Sequence, residues 1–323
     1  MRLLPILLLL PLHAAARDIT LGFPVDCVPG DTCHIRQFVD HDPGPGASDF
    51  ACGQLTYDGH KGTDISLPTR ADLAAGVAVL AAAPGTVRAV RDGMPDIVQG
   101  GPGAPDVTGR DCGNGVLIDH GDGWETQYCH LARGSVLVAP GDRVRLGQPL
   151  GDIGLSGRTE FPHLHLSVRR DGAVVDPFDP DGAITCGAVS TDTLWSDPPA
   201  LAPGALLSWG FAAGVPDYDT IKAGRAAREE LHSDAPLVLF AHAYGSRPGD
   251  VVVLTITGPD GAPVHAHRET LDRAQAEYFR AAGRRAPPGG WPEGSYVGTV
   301  AILRDGALID QDSGAVAIST RRD

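Results

Sequence analysis

His60 and Asp64 stand four residues apart in Tyr57-Asp58-Gly59-His60-Lys61-Gly62-Thr63-Asp64. That spacing lets an imidazole and a carboxylate reach one metal ion from a bent or extended segment, with Gly62 easing the bend. The H-x-x-x-D pattern alone is common, and its bland reading is a polar turn beside a solvated carboxylate. A second group is Pro162-His163-Leu164-His165-Leu166-Ser167-Val168. Side chains alternate along a strand, so His163 and His165 share one face while Leu164 and Leu166 share the other. Two imidazoles on one face, backed by an apolar face, suit a metal site. The competing reading, surface histidines on a half-buried strand, is the one adopted for the isolated pair His265-Ala266-His267. A third group, Gln127-Tyr128-Cys129-His130-Leu131, follows the run Gly113-Asn114-Gly115-Val116-Leu117-Ile118-Asp119-His120-Gly121. Alternation points His130 away from Cys129, and hairpin geometry would let it approach the strand of His163.

The elements that must position these groups read as short β-runs between Gly-rich turns: Val77–Ala82, Thr86–Val90, Gly115–Asp119, Trp124–His130, Arg143–Leu146 and His163–Val168. Strands this short and this closely spaced indicate an all-β domain over 59–186. A hairpin turning at His120-Gly121 is expected. Between Asp92 and Cys112 lies a Gly/Pro-rich stretch that reads as a long surface loop. Residues 17–58, rich in Gly, Pro, Asp and Cys, form a disulfide-pinned leading segment, and 187–205 reads as a linker. Beyond it, Val251–Thr257, the turn Gly258-Pro259-Asp260-Gly261, Tyr296–Leu303, the Asp305-Gly306 turn and a last strand at Ala315–Ser319 predict a smaller β-sandwich over 206–323, of immunoglobulin-like type. The apolar residues of Arg268–Arg285 fit neither the helix nor the strand period.

Residues 1–16 have the form of a secretory signal peptide. Arg2 precedes an apolar run, Leu3–Leu12, and the small residues Ala14, Ala15 and Ala16 place the cut after Ala16. The position after the cut holds Arg17, so no lipid anchor is expected, and no later stretch has the length of a membrane span. Six cysteines behind such a leader predict three disulfides in an oxidising compartment, periplasmic or external. Cys27–Cys33 could close a small loop, Cys112–Cys129 flank the hairpin, and Cys52–Cys186 is what remains. A structural zinc cluster is the rival reading, but no C-x-x-C occurs. The formal charge of −14, or −15 without Arg2, argues against nucleic acid or anionic lipid as the main partner.

H-x-G-T-D at 60–64, G-N-G-V-x-I-D-H-G at 113–121, Y-x-H-L at 128–131 and P-H-L-H-x-x-V at 162–168 occur in order. Together with Pro140-Gly141-Asp142-x-Val144 and Gly147-Gln148, they resemble the lysostaphin-type (LytM-domain) zinc endopeptidases over about residues 56–180. The resemblance implies an antiparallel β-sheet metallopeptidase domain; with the smaller sandwich read from the strand and turn pattern beyond it, the expected fold class is all-β. It implies one Zn²⁺ per chain held by His60, Asp64 and His165, with His130 and His163 as catalytic histidines whose individual roles stay open. Three protein ligands leave a fourth position open, where zinc can acidify water to a pKa of roughly 7 and polarise an amide carbonyl. No helical H-E-x-x-H supplies a glutamate base, so one of His130 and His163 takes the proton and the other steadies the oxyanion.

The substrate implied is the peptide of bacterial peptidoglycan, by hydrolysis of its cross-links or stems; which bond is cleaved does not follow. The alternative is a non-catalytic wall-binding module of the same fold that activates other hydrolases, and such modules are expected to lose ligands or catalytic histidines. The departures from the family pattern are the 92–112 loop and the cysteines Cys112 and Cys129. His120, His34, His41, His232 and His242 are expected to be structural. The loop Asp40-His41-Asp42 could reach the open metal position and hold the site latent, although such acidic loops are usually solvated. No row of aromatics marks the sandwich as a sugar binder: Trp209, Trp291 and Tyr296 fit a core equally well. No feature fixes the oligomeric state.

Overall fold

Alternation along 163–168 becomes a strand whose apolar side is sealed in a core: Leu164 and Leu166 are 0% exposed and Val168 1%. Each such side chain contributes about 1.5–3 kcal/mol through burial, and this fixes which face the histidines can occupy. The computed structural model describes residues 18–184, 186 and 192–320. The expected signal peptide with its cut after Ala16, residues 187–191 of the linker and the last three residues lie outside the described residues.

The first unit comprises β1 (His34–Gln37), β2 (Thr63–Ser66), β3 (Ala78–Leu80), β4 (Gly85–Arg91), β5 (Asn114–Gly121), β6 (Trp124–Leu131), β7 (Arg143–Val144), β8 (Pro149–Asp152), β9 (His163–Arg170) and β10 (Ala173–Val175). The main sheet runs β1-β2-β9-β6-β5-β4-β7 with β10 on β9, and β3 pairs with β8 apart from it. Every pairing here is antiparallel. The β5–β6 hairpin turns two residues later than expected. His120 and Gly121 stay in β5, and the turn is Asp122-Gly123, with φ of 49° and 81°. A two-residue loop of type I′ needs positive φ at both positions, which Asp-Gly tolerates better than His-Gly. The long loop between Arg91 and Asn114 has no strand, but it is fastened: Val107 is buried, and Gln99 N donates to Thr159 O at 2.8 Å.

All six cysteines pair as Cys27–Cys33, Cys52–Cys186 and Cys112–Cys129. The described part of the expected linker is not a free connector. Leu194 and Trp195 are buried in the first core, and Leu21 bonds the backbone on both sides of them, its N–H to Leu194 O and its carbonyl to Ser196 N.

The second unit holds β11 (Ala205–Ala212), α1 (Tyr218–Lys222), β12 (Glu230–His232), β13 (Leu237–Ser246), β14 (Val251–Thr257), β15 (Pro263–Thr270), β16 (Gln275–Arg284), β17 (Gly294–Arg304) and β18 (Ala307–Ser319). Two sheets, β11-β13-β16 and β12-β18-β17-β14-β15, enclose a core that draws Leu239 and Tyr278 from one side and Leu254, Val300 and Val316 from the other. The single parallel pair here is β12 with β18. Arg268–Arg285 fits neither period because it holds the end of β15 and all of β16, which belong to different sheets. The final strand begins at Ala307, earlier than Ala315, because it pairs along the whole of β17. The leading edge of the first sheet, β1, meets the edge strand β16 of the second unit through Arg36 and Glu277, 2.7 Å apart.

Candidate metal centre

The β2–β9 register sets Asp64 directly opposite His165 and Ser66 opposite His163, so the carboxylate and both imidazoles emerge on the polar face of one ladder. His60 precedes β2 and is gripped by the leading segment. Asp40 N donates to its carbonyl at 3.0 Å, and the Asp40 carboxylate accepts Gly59 N at 2.8 Å. Gly62 serves less as a bend than as space: a Cβ there would sit 2.6 Å from His165 Nε2 and from Leu166 O.

Three donor atoms converge. His60 Nε2 lies 3.2 Å from Asp64 Oδ1 and 3.1 Å from His165 Nδ1, and His165 Nδ1 lies 2.7 Å from Asp64 Oδ1. Among the described residues these three form the one His/Cys/Asp/Glu group arranged to hold a metal ion. An N,N,O set with edges near 3 Å fits a small ion bound at about 2.0–2.2 Å, the range for zinc with imidazole and carboxylate.

His130 reaches the site by a different route from the alternation expected of it. Asn114 pairs with Leu131 and Gly115 with Cys129, so His130 is the extra residue of a β-bulge, with φ of 66°. A bulge re-aims one side chain, and a non-glycine residue in this region carries a strain cost that functional sites tolerate. Both its backbone groups are satisfied: His130 N donates to Cys112 O at 2.8 Å, and Gly154 N donates to His130 O at 2.9 Å. The Cys112–Cys129 disulfide closes beside the bulge. The ring lies 4.6 Å from that of His163 and 6.0 Å from that of His165, centroid to centroid.

Backbone carbonyls decide which nitrogen of each ring is free. Phe38 O meets His60 Nδ1 at 2.6 Å, Ser156 O meets His130 Nδ1 at 2.8 Å, and Phe161 O meets His163 Nδ1 at 2.9 Å. A carbonyl can only accept, so each Nδ1 carries the proton and each Nε2 keeps its lone pair. His163 Nε2 lies 3.6 Å from Asp64 Oδ1. Burial would raise the Asp64 carboxyl, but His163, His60 and His165 outweigh it and hold it well below the carboxylate range. Burial, reinforced by His163 and His165, pushes His130 well below the usual imidazole value. Burial also lowers His163, against the pull of Asp64.

Several positioning groups were not singled out in the sequence. Asn114, fully buried, accepts Met94 N at 2.8 Å through Oδ1 and donates to Met94 O at 2.8 Å and Leu131 O at 3.2 Å. Ser156 Oγ accepts Asn114 N at 2.8 Å and donates to Leu131 O at 2.7 Å, while its carbonyl orients His130. Thr159 Oγ1 lies 3.2 Å from His163 Nδ1. A buried polar side chain tied to main chain leaves little signature in sequence beyond its type.

Other histidines lie elsewhere. His41 pairs with Asp176 at 2.8 Å, and the Asp40 carboxylate accepts the backbone N–H groups of Asp42, Ser48 and Gly59. His120 bridges Pro84 O and Thr126 Oγ1. His242 pairs with Glu277 at 2.6 Å, and His267 lies 3.5 Å from Glu269.

The Peptidase family M23 pattern matches residues 58–177, a span that contains all five converging residues. This part of the chain is an M23 domain. Among curated relatives, the M23-containing chain is 45% identical over 65 residues to the DD-carboxypeptidase/endopeptidase Mpg of Neisseria meningitidis, covering 20% of this chain and 14% of that protein. It is 42% identical over 65 residues to the peptidoglycan DD-endopeptidase ShyC of Vibrio cholerae, again 20% of this chain and 14% of that protein. It is 35% identical over 103 residues to the murein hydrolase activator EnvC of Escherichia coli, 31% of this chain and 22% of that protein. The chain thus spans between 11% and 22% of the length of such relatives. Among solved structures, the catalytic domain of the prophage-encoded M23 protein EnpA from Enterococcus faecalis aligns at 25% identity and a TM-score of 0.32, covering 49% of this chain and 95% of that one.

Proposed function

We propose that this chain is a zinc-dependent endopeptidase that hydrolyses amide bonds in the peptide cross-links or stems of peptidoglycan. His60, Asp64 and His165 are assigned as the metal ligands, and His130 and His163 as the catalytic histidines. The observation that carries this reading is the convergence of three metal-type donor atoms within 3.2 Å of one another, beside two further imidazoles whose Nε2 lone pairs are free. Zinc, when bound, supplies Lewis-acid polarisation of a scissile carbonyl and makes water acidic enough to ionise near neutrality. The chain's own residues do the rest. The carbonyls of Ser156 and Phe161 hold His130 and His163 in one orientation. One of the pair accepts a proton from water and returns it to the leaving amine; the other, having taken a proton on Nε2 from solvent, donates it as a hydrogen bond to the developing oxyanion.

A rim of Tyr57, whose ring centroid lies 4.5 Å from that of His60, and the Arg158–Asp111 ion pair would meet the substrate first. Residues 206–323 are read as an immunoglobulin-like unit that positions the peptidase. Trp291 and Tyr296 are 8% and 1% exposed, so neither offers a free sugar platform, and the half-buried Trp209 donates its Nε1 to Asp312 at 2.6 Å. The likeness to EnvC favours a second reading, a wall-binding activator, and the intact set of five residues weighs against it. A periplasmic or external location follows from the expected leader and the three disulfides.

Digestion of purified peptidoglycan by residues 17–323, with fragments identified by mass spectrometry, tests the proposal and names the bond. New amine and carboxyl ends are expected with the zinc-loaded protein and none with His165→Ala. If both proteins leave every wall type intact, the enzyme reading is lost and the activator reading stands.

A further inference from the structure

A stack of three planar groups runs from the catalytic histidine to the second unit. The Phe161 ring lies on His163 at 4.4 Å with an interplanar angle of 24°. The Arg36 guanidinium lies over the same Phe161 ring, its Cζ 4.2 Å from the centroid. Arg36 is 6% exposed, and its Nη2 pairs with Glu277 Oε2 at 2.7 Å. Glu277 Oε1 in turn meets His242 Nε2 at 2.6 Å, and His242 is 1% exposed. Phe161 also supplies the carbonyl that fixes His163 Nδ1, so one residue sets both the tilt and the tautomer of that imidazole.

These contacts cross between the two units. Arg36 belongs to β1, the edge of the peptidase sheet, while Glu277 and His242 belong to β16 and β13 of the sandwich. A cleft of about 430 Å³ follows the same junction, with Arg36, Glu160, Phe161, Tyr218, Lys222 and Glu277 among its walls. An ordinary packing contact between domains would need no buried ion pair, and leaving one buried charge without its partner is costly. A flat cation on an aromatic face, by contrast, holds that ring at a defined height and tilt.

We propose that Arg36 and Glu277 are positioning residues for His163, acting through Phe161, so that the sandwich sets the geometry of the catalytic histidine pair. The inference rests on the peptidase reading given above. It adds a polar coupling to a junction that also buries Leu207 and Tyr244 of the second unit in the core of the first. It also gives the sandwich a task that needs no ligand of its own.

The test compares Arg36→Lys, Phe161→Leu and the double variant in the full chain. Lys keeps the charge and can pair with Glu277, but it loses the planar stack; Leu keeps the Phe161 carbonyl and loses the ring. For each single variant kcat is expected to fall about tenfold with KM within about twofold of wild type, since small misplacements of a reacting group cost rate rather than binding. The double variant is expected to fall no further. In the zinc-free protein, the imidazole ring signals of His163 in proton–nitrogen spectra should shift in Arg36→Lys, while those of His120 stay in place. Thermal midpoints, read alongside, show whether Arg36→Lys has merely loosened the junction. Unchanged kcat and unchanged His163 signals in Arg36→Lys, or additive losses in the double variant, would overturn the proposal. A kcat loss that appears only together with a loss of thermal stability would do the same. If wild type cleaves no peptidoglycan, the peptidase reading fails, and the His163 signals still decide the coupling.

Discussion

Asp64 on β2 and His165 on β9 are register partners whose facing atoms, Oδ1 and Nδ1, lie 2.7 Å apart. A strand ladder thus does the work of alignment, and only His60 has to be delivered by a turn. Asp64→Ala removes the proposed ligand at the centre of this arrangement. Zinc content after mild purification is expected to fall from near one equivalent to below about half, measured by elemental analysis. A chelator should lower the thermal midpoint of wild type and leave that of Asp64→Ala unmoved. Zinc at a hundred times its dissociation constant stabilises by about 2.7 kcal/mol, ample to register in such a scan.

His130→Gln and His163→Gln keep the three ligands. Each is expected to lower kcat/KM by about 10²–10⁴-fold, the usual yield of a positioned acid or base, with zinc content unchanged. The double variant should be little worse than the poorer single one, because the pair acts as a unit. A large loss of zinc in either variant would move that histidine from catalysis to metal binding.

Asn114→Ala strips the Met94 N–H of its acceptor and two carbonyls of their donor in a fully buried place. A destabilisation of about 2–4 kcal/mol is expected in urea unfolding. Activity should fall further than stability explains, since the same group holds the end of β6 where His130 bulges. Equal activity in the folded variant would dissociate the network from the histidine.

Glu277 gives a pH prediction. Burial acts to raise its carboxyl, but the His242 hydrogen bond and the Arg36 charge more than offset this and hold it at about 2. A depressed carboxylate contributes stability above its unfolded value of about 4.3, and that contribution is lost as pH falls toward the folded value. The stability gap between wild type and Glu277→Gln should therefore be full above about pH 5, up to about 3 kcal/mol, and shrink toward pH 2. A gap that stays constant across that window would mean the charge on Glu277 does not matter to the junction.

What the sequence displays and what it conceals divide along physical lines. His163 and His165 were legible because strand alternation is a local rule, and Leu164 and Leu166 between them name the buried face. The three disulfides were legible because two pairings had short-range reasons and the third was left over. His130 was placed near the site for an incomplete reason: its aim comes from a bulge, which depends on how β5 pairs with β6 and has no signature within β6 itself. The hairpin turns two residues beyond the His120-Gly121 signal because Asp122-Gly123 supplies the positive φ pair of the loop. β13 went unseen since a strand buried along its whole length shows no alternation. The grip of Phe38 and Asp40 on His60, and the stack from Arg36 to His163, join residues tens to hundreds of positions apart. No pattern in one chain reveals such contacts.

The Cys52–Cys186 bridge has a topological consequence. It closes a covalent ring of backbone that contains His60, Asp64, His130, His163, His165 and the whole 92–112 loop. A single cut anywhere inside that ring, by a rival protease for instance, converts the ring to a strand without releasing either end. The nicked molecule should run as one species on a gel until a reductant is added, and only then separate into two.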